Sequence, residues 1–122
     1  MRRFRLASFR YALDGIRYVL KTQPNARVHA VISLAVAGAG LWLELDRTEW
    51  AILIVTMAVV WAAEFVNTAV EAAVDLVTEE HHRLAKVAKD TAAGAVLVTA
   101  ILAVIVGVLI LGPPLWSRLT GQ

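Results

Sequence analysis

The 122-residue chain is strongly apolar: 59% of its residues are hydrophobic, and its formal net charge is +2. A soluble domain of this size still exposes roughly a third of its unfolded surface, so it could not bury so many apolar side chains. The absence of cysteine excludes a disulfide framework and thiolate chemistry. We therefore expect a single domain, residues 1–122, that resides in a membrane.

Positive charge is concentrated at the N-terminal end. Residues 1–27 hold seven lysines and arginines against one aspartate, a net charge of +6, whereas residues 28–122 carry −4. In a membrane protein such a basic arm indicates contact with anionic headgroups on the cytoplasmic surface rather than with nucleic acid. The long apolar run and small-residue cleavage site of a secretory signal peptide are not found here, so none is expected.

The first predicted element is an amphipathic helix over about residues 4–21, FRLASFRYALDGIRYVLK. An apolar side with cationic flanks is typical of a helix that lies in the membrane surface. Three apolar runs follow, and about 20 helical residues cross a hydrocarbon layer about 30 Å thick. The sequence thus predicts an all-α membrane protein with spans over about 26–44, 50–70 and 91–112, the last ended by Pro113-Pro114.

The loops give the orientation of these spans. Lysine and arginine are concentrated before the first run and between the second and third runs. By the positive-inside rule, the N-terminus and the second loop are cytoplasmic, and the first loop and the C-terminus are external. The second loop, 78–90, is expected to contain a helical turn, with Thr78 and Asp90 as helix caps.

A polar stripe ends the second apolar run. Its members Glu64, Asn67, Glu71 and Asp75 are spaced i, i+3, i+7 and i+11, which places them on one helix face. An ionised carboxylate at membrane depth costs about 2.5–3.5 kcal/mol or more, so such residues are usually partnered and often functional. One interpretation is a hydrogen-bond network inside an oligomer.

A second interpretation of the stripe is a phosphoryl-transfer site at the membrane surface. One carboxylate could accept a proton from an alcohol, and another could hold Mg²⁺ together with phosphate oxygens. Lys86 and Lys89, further along the chain, could neutralise phosphate charge. The sequence has no Walker loop and no kinase glycine loop, so a nucleotide site would be built differently.

Residues 63–98, AEFVNTAVEAAVDLVTEEHHRLAKVAKDTAAGAVLV, closely resemble the prokaryotic integral-membrane diacylglycerol kinase and undecaprenol kinase family. The shared pattern is E-x-x-N-[ST]-A-[IV]-E-x-x-V-D, then a short histidine-containing loop and A-K-D, and the resemblance continues into residues 8–29. It implies a homotrimer in the cell inner (plasma) membrane, with sites shared between protomers. The implied reaction is ATP-dependent phosphorylation of a membrane lipid alcohol with Mg²⁺.

The resemblance also implies roles for individual residues. Glu64 would be the general base, Asn67 would support it, and Glu71 would bind Mg²⁺ and ATP. Gln23 stands where the family often has a second acidic metal ligand; its amide could contact Mg²⁺ and the nucleotide but adds no charge, which leaves two-metal binding open. The remaining ATP-binding positions implied by the resemblance are Tyr11, Glu80, His81, His82, Lys89 and Asp90.

Several alternatives stay open from sequence. The local pattern favours undecaprenol as the acceptor, with diacylglycerol, which would yield phosphatidic acid, as the alternative. A non-enzymatic alternative is an oligomeric membrane protein whose buried carboxylates carry protons. A zinc site at His81-His82 is disfavoured because adjacent histidines on a helix point about 100° apart. We interpret His29 as an interfacial hydrogen-bonding residue, and Arg27 as either a phosphate contact or a cytoplasmic anchor.

Overall fold

A computed structural model describes residues 2–122 of the chain, with side chains from residue 6 onward. Every element in this part of the chain is an α-helix: α1 (Arg2–Thr22), α2 (Pro24–Trp42), α3 (Arg47–Val77) and α4 (Arg83–Thr120). The predicted all-α class is confirmed. At 1.5 Å per residue, α3 is about 46 Å long and α4 about 57 Å. Both helices are therefore longer than a hydrocarbon layer is thick.

The junction between α1 and α2 is fixed by Arg27. Its Nε donates a hydrogen bond to the Leu20 carbonyl at 3.0 Å, and a terminal nitrogen donates to the Lys21 carbonyl at 2.6 Å. These carbonyls end α1 and have no partner in the helix ladder, so the guanidinium satisfies them and complements the helix dipole. This contact is a third role for Arg27, and the phosphate contact and the cytoplasmic anchor both stay predictions.

The loop between α2 and α3 is held by local hydrogen bonds and close packing. Asp46 and Glu49 form a reciprocal capping box, with each side chain accepting a backbone N–H at 2.9 Å. The Trp50 ring lies against Gly40, where a Cβ would be only 2.7 Å from Trp50 Cη2. A side chain at position 40 would therefore force the Trp50 ring to shift.

Helix packing places the chain termini and loops at two opposite ends. The most extensive pair is α3 with α4, and α2 contacts both of them more sparsely. At one end the Arg118 guanidinium of α4 lies 3.6 Å from the Glu44 carboxylate and 5.0 Å from the Trp42 ring centroid. The α2–α3 loop and the end of α4 thus share one end of the molecule, and the α3–α4 connector lies at the other.

The exposed surface is that of a membrane protein. The single chain exposes 9416 Å², whereas a compact soluble protein of 13.3 kDa exposes about 6,500 Å². The most apolar stretches of α3 and α4 have mean hydropathies of 1.8 and 3.0, yet only 28% and 6% of their residues are buried. Because a soluble protein buries its apolar core helices, these two helices indicate residence in a membrane.

The number of spans is less fully determined. Among residues 2–122, α3 and α4 are both long and apolar enough to cross a membrane. The shorter α2 has 19 residues and carries Asn25, Arg27 and His29 in its first two turns, which lowers its apolarity. The third span and the homotrimer stay predictions.

The ends of α3 and α4 differ from those expected. Helix α4 continues through Pro113-Pro114 to Thr120, because two missing N–H groups near its end remove only two hydrogen bonds while the following residues still donate. Asp90 lies inside α4 and is not a cap; instead His82 Nδ1 accepts the Leu84 N–H at 3.1 Å. Thr78 does end α3, and its hydroxyl accepts the Glu80 N–H at 3.2 Å.

Candidate functional site

The solvent exposure of the polar stripe increases along α3 from Glu64 to Asp75. Glu64 is 1% exposed and Asn67 is 7% exposed. Glu71 is half-buried, and the Asp75 side chain is 61% exposed. One helix face therefore leads from a buried acid to a solvated acid, towards the α3–α4 connector.

The buried end of the stripe faces a cavity of about 250 Å³, here called the inner cavity. Glu64 and Asn67 line it from α3, and Asn25 and His29 line it from α2. The wall contributed by α4 is apolar, with Ala93, Val96, Leu97 and Ala100. The inner cavity is thus an apolar space with a few convergent polar groups, as is typical of small-molecule sites.

Two buried oxygens at the inner cavity have no hydrogen-bond partner among the described residues: Glu64 Oε2 and Asn67 Oδ1. The nearest cationic candidate, His29 Nε2, lies 3.7 Å from Glu64 Oε2, beyond hydrogen-bond distance. Each buried unsatisfied acceptor costs about 1–3 kcal/mol. A ligand hydroxyl donating into this cavity would recover that cost.

A second, apolar cavity of about 220 Å³ adjoins the inner cavity and shares His29 and Ala100 with it. It lies among α2, α3 and α4 and extends as far as Gly107. Trp61 forms part of its wall and is oriented by a hydrogen bond from Nε1 to Ser33 Oγ at 3.2 Å. An amphiphile with its polar end beside Glu64 could place an apolar chain here.

The exposed end of the stripe faces a polar cavity of about 350 Å³, here called the connector cavity. Lys89 Nζ donates a hydrogen bond to Asp75 Oδ1 at 2.6 Å, and Lys86 pairs with Asp90 along α4. The Asp75 hydrogen bond raises the pKa of the Lys89 ammonium, which precedes the apolar run 91–112, above its ordinary value. The cavity thus holds two cations and several acids beside the loop, namely Asp75, Glu79, Glu80 and Asp90.

The structure groups most of the predicted site residues around these two cavities. Glu64 and Asn67 line the inner cavity, while Glu80, His81, His82, Lys89 and Asp90 line the connector cavity. Glu71 lies between them and accepts a hydrogen bond from Asn67 Nδ2 at 3.3 Å. Besides Glu71, two predicted residues line neither cavity: Tyr11, which is 71% exposed on α1, and Gln23, whose amide is 3.4 Å from the Thr22 hydroxyl.

The metal-binding groups fit Mg²⁺ only in part. Within residues 2–122, no three histidine or acidic side chains are grouped as a metal site. Glu71 supplies one half-buried carboxylate, and Mg²⁺ is commonly held by one or two carboxylates plus substrate phosphates. Glu71 therefore suits a nucleotide-borne cation, whereas the Gln23 amide donates to the Thr22 hydroxyl at 3.4 Å.

Sequence reasoning did not assign two residues to the site. Asn25 and His29 line the inner cavity from α2, together with Glu64 of α3. The i, i+4 spacing of Asn25 and His29 does put them on one face of α2. Which face α2 turns to α3 depends on tertiary packing, so that spacing alone did not identify them.

Comparison with known proteins gives matches over most of the chain. The sequence profile of the family described as prokaryotic diacylglycerol kinase matches residues 10–111. A protein named diacylglycerol kinase from Synechocystis sp. is 50% identical over 113 residues, which cover 92% of this chain and 65% of the relative. The chain thus spans somewhat less than two thirds of that relative's length.

Two other relatives are matched over most of both chains. Undecaprenol kinase from Bacillus subtilis (strain 168) is 44% identical over 108 residues, which cover 88% of each chain. Diacylglycerol kinase from Escherichia coli (strain K12) is 33% identical over 108 residues, 88% of this chain and 85% of the relative. These matches confirm the resemblance drawn from the motif, and the chain belongs to the prokaryotic diacylglycerol kinase family.

Proposed function

We propose that this protein transfers the γ-phosphoryl group of ATP to the hydroxyl of a membrane lipid alcohol. Family membership supports the class of reaction. The observation that carries the site assignment is Glu64, a carboxylate that is 1% exposed and has one oxygen without a hydrogen bond. An alcohol donating to that oxygen would satisfy it and would be placed for deprotonation.

The lipid would enter with its hydroxyl in the inner cavity and its chain in the apolar cavity. The two cavities share His29 and Ala100, which supports a single elongated ligand. The exposed apolar residues along α4 would let the lipid approach from the bilayer, among them Leu97, Ile101, Val104 and Val108.

The nucleotide would bind at the connector end. Lys89 would meet phosphate charge, while Glu80, His81, His82 and Asp90 would surround the rest of the nucleotide. Phosphate oxygens would then compete with Asp75 for the Lys89 ammonium, which is 2.6 Å from Asp75 Oδ1 in the ligand-free chain. Charge-assisted hydrogen bonds of this kind are stronger than neutral ones.

The transfer itself would depend on positioning and charge rather than on a phosphoenzyme. Glu64 would accept the hydroxyl proton as the new O–P bond forms, and ADP would leave. Asn67 would hold Glu71 through its 3.3 Å hydrogen bond and keep the Oδ1 atom turned to the inner cavity. Glu71 would hold Mg²⁺, which when bound neutralises charge on the phosphate oxygens.

We further propose three spans and a homotrimer in the cell inner (plasma) membrane, with the N-terminus in the cytoplasm. The α2–α3 loop and the C-terminal end of α4 lie at the same end of the molecule. This supports a topology in which successive loops lie on alternate sides of the membrane. The basic arm supports contact between α1 and an anionic surface. Tyr11 and Gln23, which line neither cavity, would contribute to a nucleotide site only across a boundary between protomers.

For the acceptor we propose undecaprenol. Its support is the Bacillus subtilis relative, named undecaprenol kinase and matched over 88% of each chain. Diacylglycerol is the second candidate, since the relative with 50% identity is named diacylglycerol kinase. Both lipids present a primary alcohol, so the inner cavity does not distinguish them.

The test is transfer of radiolabelled γ-phosphate from ATP by purified protein in mixed micelles, with each lipid offered separately. We expect Mg²⁺-dependent labelling of undecaprenol and its loss in Glu64→Gln, with MgATP binding retained. Labelling of diacylglycerol alone would change the acceptor. Labelling of neither lipid by folded protein would contradict the proposed function, and a failure to bind MgATP as well would favour a carrier of protons.

A further inference from the structure

We propose that His29 is the proton outlet of Glu64: it removes from Glu64 the proton that each turnover leaves there. This inference rests on the proposed function, because a proton is left on Glu64 only if Glu64 deprotonates the lipid. It assigns His29 a step that follows phosphoryl transfer and resets the site for the next lipid.

Burial creates the need for such an outlet. A general base must lose its proton before it can act again, and proton transfer needs a partner within hydrogen-bond reach or one water away. Glu64 is 1% exposed, and the α4 wall of the inner cavity is apolar. Its deprotonation by bulk water is therefore obstructed, above all when a lipid fills the cavity.

His29 is the suitably placed acceptor. Its Nε2 is 3.7 Å from Glu64 Oε2, the same oxygen that lacks a hydrogen bond. A shift of about 0.5 Å would bring the pair within the usual range. The His29 side chain is 16% exposed and so is more accessible than Glu64. Imidazole is also the side chain best suited to take and release a proton near neutral pH.

The surroundings leave no competing titratable group at this pair. Among the residues lining the inner cavity, α3 presents Glu64 and the neutral Asn67, whereas α4 presents only apolar side chains. On α2 itself Asn25 is neutral, and the Arg27 guanidinium is held by carbonyls of α1. The Trp61 ring lies edge-on to His29, with centroids 6.4 Å apart, and restricts the imidazole on its apolar side.

The step balances as a simple proton transfer. The O–H bond of protonated Glu64 breaks, its proton joins Nε2 of neutral His29, and Glu64 is again a carboxylate. The imidazolium then gives one proton to water and returns to its neutral form. The net result of these two proton transfers is that water receives the proton that the lipid hydroxyl lost.

The experiment compares wild type, His29→Gln and His29→Ala in the mixed-micelle assay across a range of pH. Glutamine keeps polarity and similar size but cannot relay a proton, so kcat should fall about 10- to 100-fold, less than for loss of the base itself. The KM values for lipid and ATP should change less than twofold. The dependence of kcat on pH should differ between the wild type and His29→Gln.

Chemical rescue separates a relay from a structural role. Added imidazole should restore kcat in His29→Ala, more strongly for more basic derivatives, but should not restore it in Glu64→Gln. Wild-type kcat and pH profile in His29→Gln, or loss of MgATP binding in both His29 variants, would overturn the relay alone. Absence of lipid labelling by the wild type would overturn the proposed function together with the relay.

Discussion

The two ends of the stripe on α3 hold their carboxylates in opposite ways. At the inner end Glu64 is 1% exposed, and its nearest basic group is 3.7 Å away. At the connector end the Asp75 side chain is 61% exposed and is hydrogen-bonded to Lys89 at 2.6 Å. Chemistry on an alcohol needs a water-poor position, whereas polyphosphate binding needs hydrated, exchangeable charge. One helix offers both environments because it passes from an apolar layer to a polar connector.

The largest loss of activity is expected from Glu64→Gln. If the buried acid is the base, kcat should fall about 10²- to 10⁴-fold, the usual range for general-base catalysis. MgATP affinity should be nearly unchanged, because the connector cavity is untouched. Labelled phosphate transfer and equilibrium ATP binding measure the two effects.

Glu44→Gln is the matched control, since it also converts an acid to an amide. Glu44 lies in the α2–α3 loop, is 84% exposed and is 3.6 Å from Arg118. Such a surface pair contributes about 0–1 kcal/mol, so activity should be preserved. Equal losses in Glu64→Gln and Glu44→Gln would remove the base role from Glu64.

A smaller effect is expected at Glu71, midway along the stripe. Glu71→Gln should raise the Mg²⁺ concentration for half-maximal activity about 10- to 100-fold, because even outer-sphere partners of metal sites have effects of this size. Titration of the transfer rate with Mg²⁺ measures it. An unchanged Mg²⁺ dependence would place the cation elsewhere.

Gln23→Glu should lower the Mg²⁺ concentration needed for half-maximal activity. It restores a negative charge at the position where the family often has an acid, and Gln23 makes no side-chain cap bond that the change would break. We expect a lower Mg²⁺ requirement in the same titration. If the requirement stays as in the wild type, position 23 does not contact the cation.

At the α2–α3 loop, substitutions are expected to change stability through packing alone. Gly40→Ala should cost about 1 kcal/mol of unfolding free energy, at the low end for overpacking, because the obstructing atoms belong to the Trp50 and Leu45 side chains. Gly38→Ala is its control, since nothing lies within 4 Å of an added Cβ there. Denaturation in mixed micelles should find Gly38→Ala neutral or stabilised, and equal costs would contradict the packing explanation.

The smallest effect is expected for Asp75→Asn. The Asp75–Lys89 pair is solvated, so its loss should change stability little. If phosphates compete with Asp75 for Lys89, the KM for ATP should fall or stay constant rather than rise. A several-fold increase in that KM would instead make Asp75 part of the nucleotide site.

Helical periodicity was enough to predict the stripe, because Glu64, Asn67, Glu71 and Asp75 belong to one continuous helix. The partners of Glu64 were not predictable in the same way. His29 lies 35 positions earlier in the chain, and its approach depends on how α2 packs on α3. Local rules also misplaced the end of α4, which continues for six residues beyond Pro114.

The unbroken run of α3 from Arg47 to Val77 fixes the distance between the two ends of the polar stripe. Residues 64 and 75 are about 16 Å apart along its axis, a spacing set by backbone geometry rather than by a hinge. Adding one residue between them would rotate everything beyond it by about 100° and turn Asp75 away from the face that carries Glu64. The helical phase of α3 is therefore as much a part of the candidate site as any side chain on it.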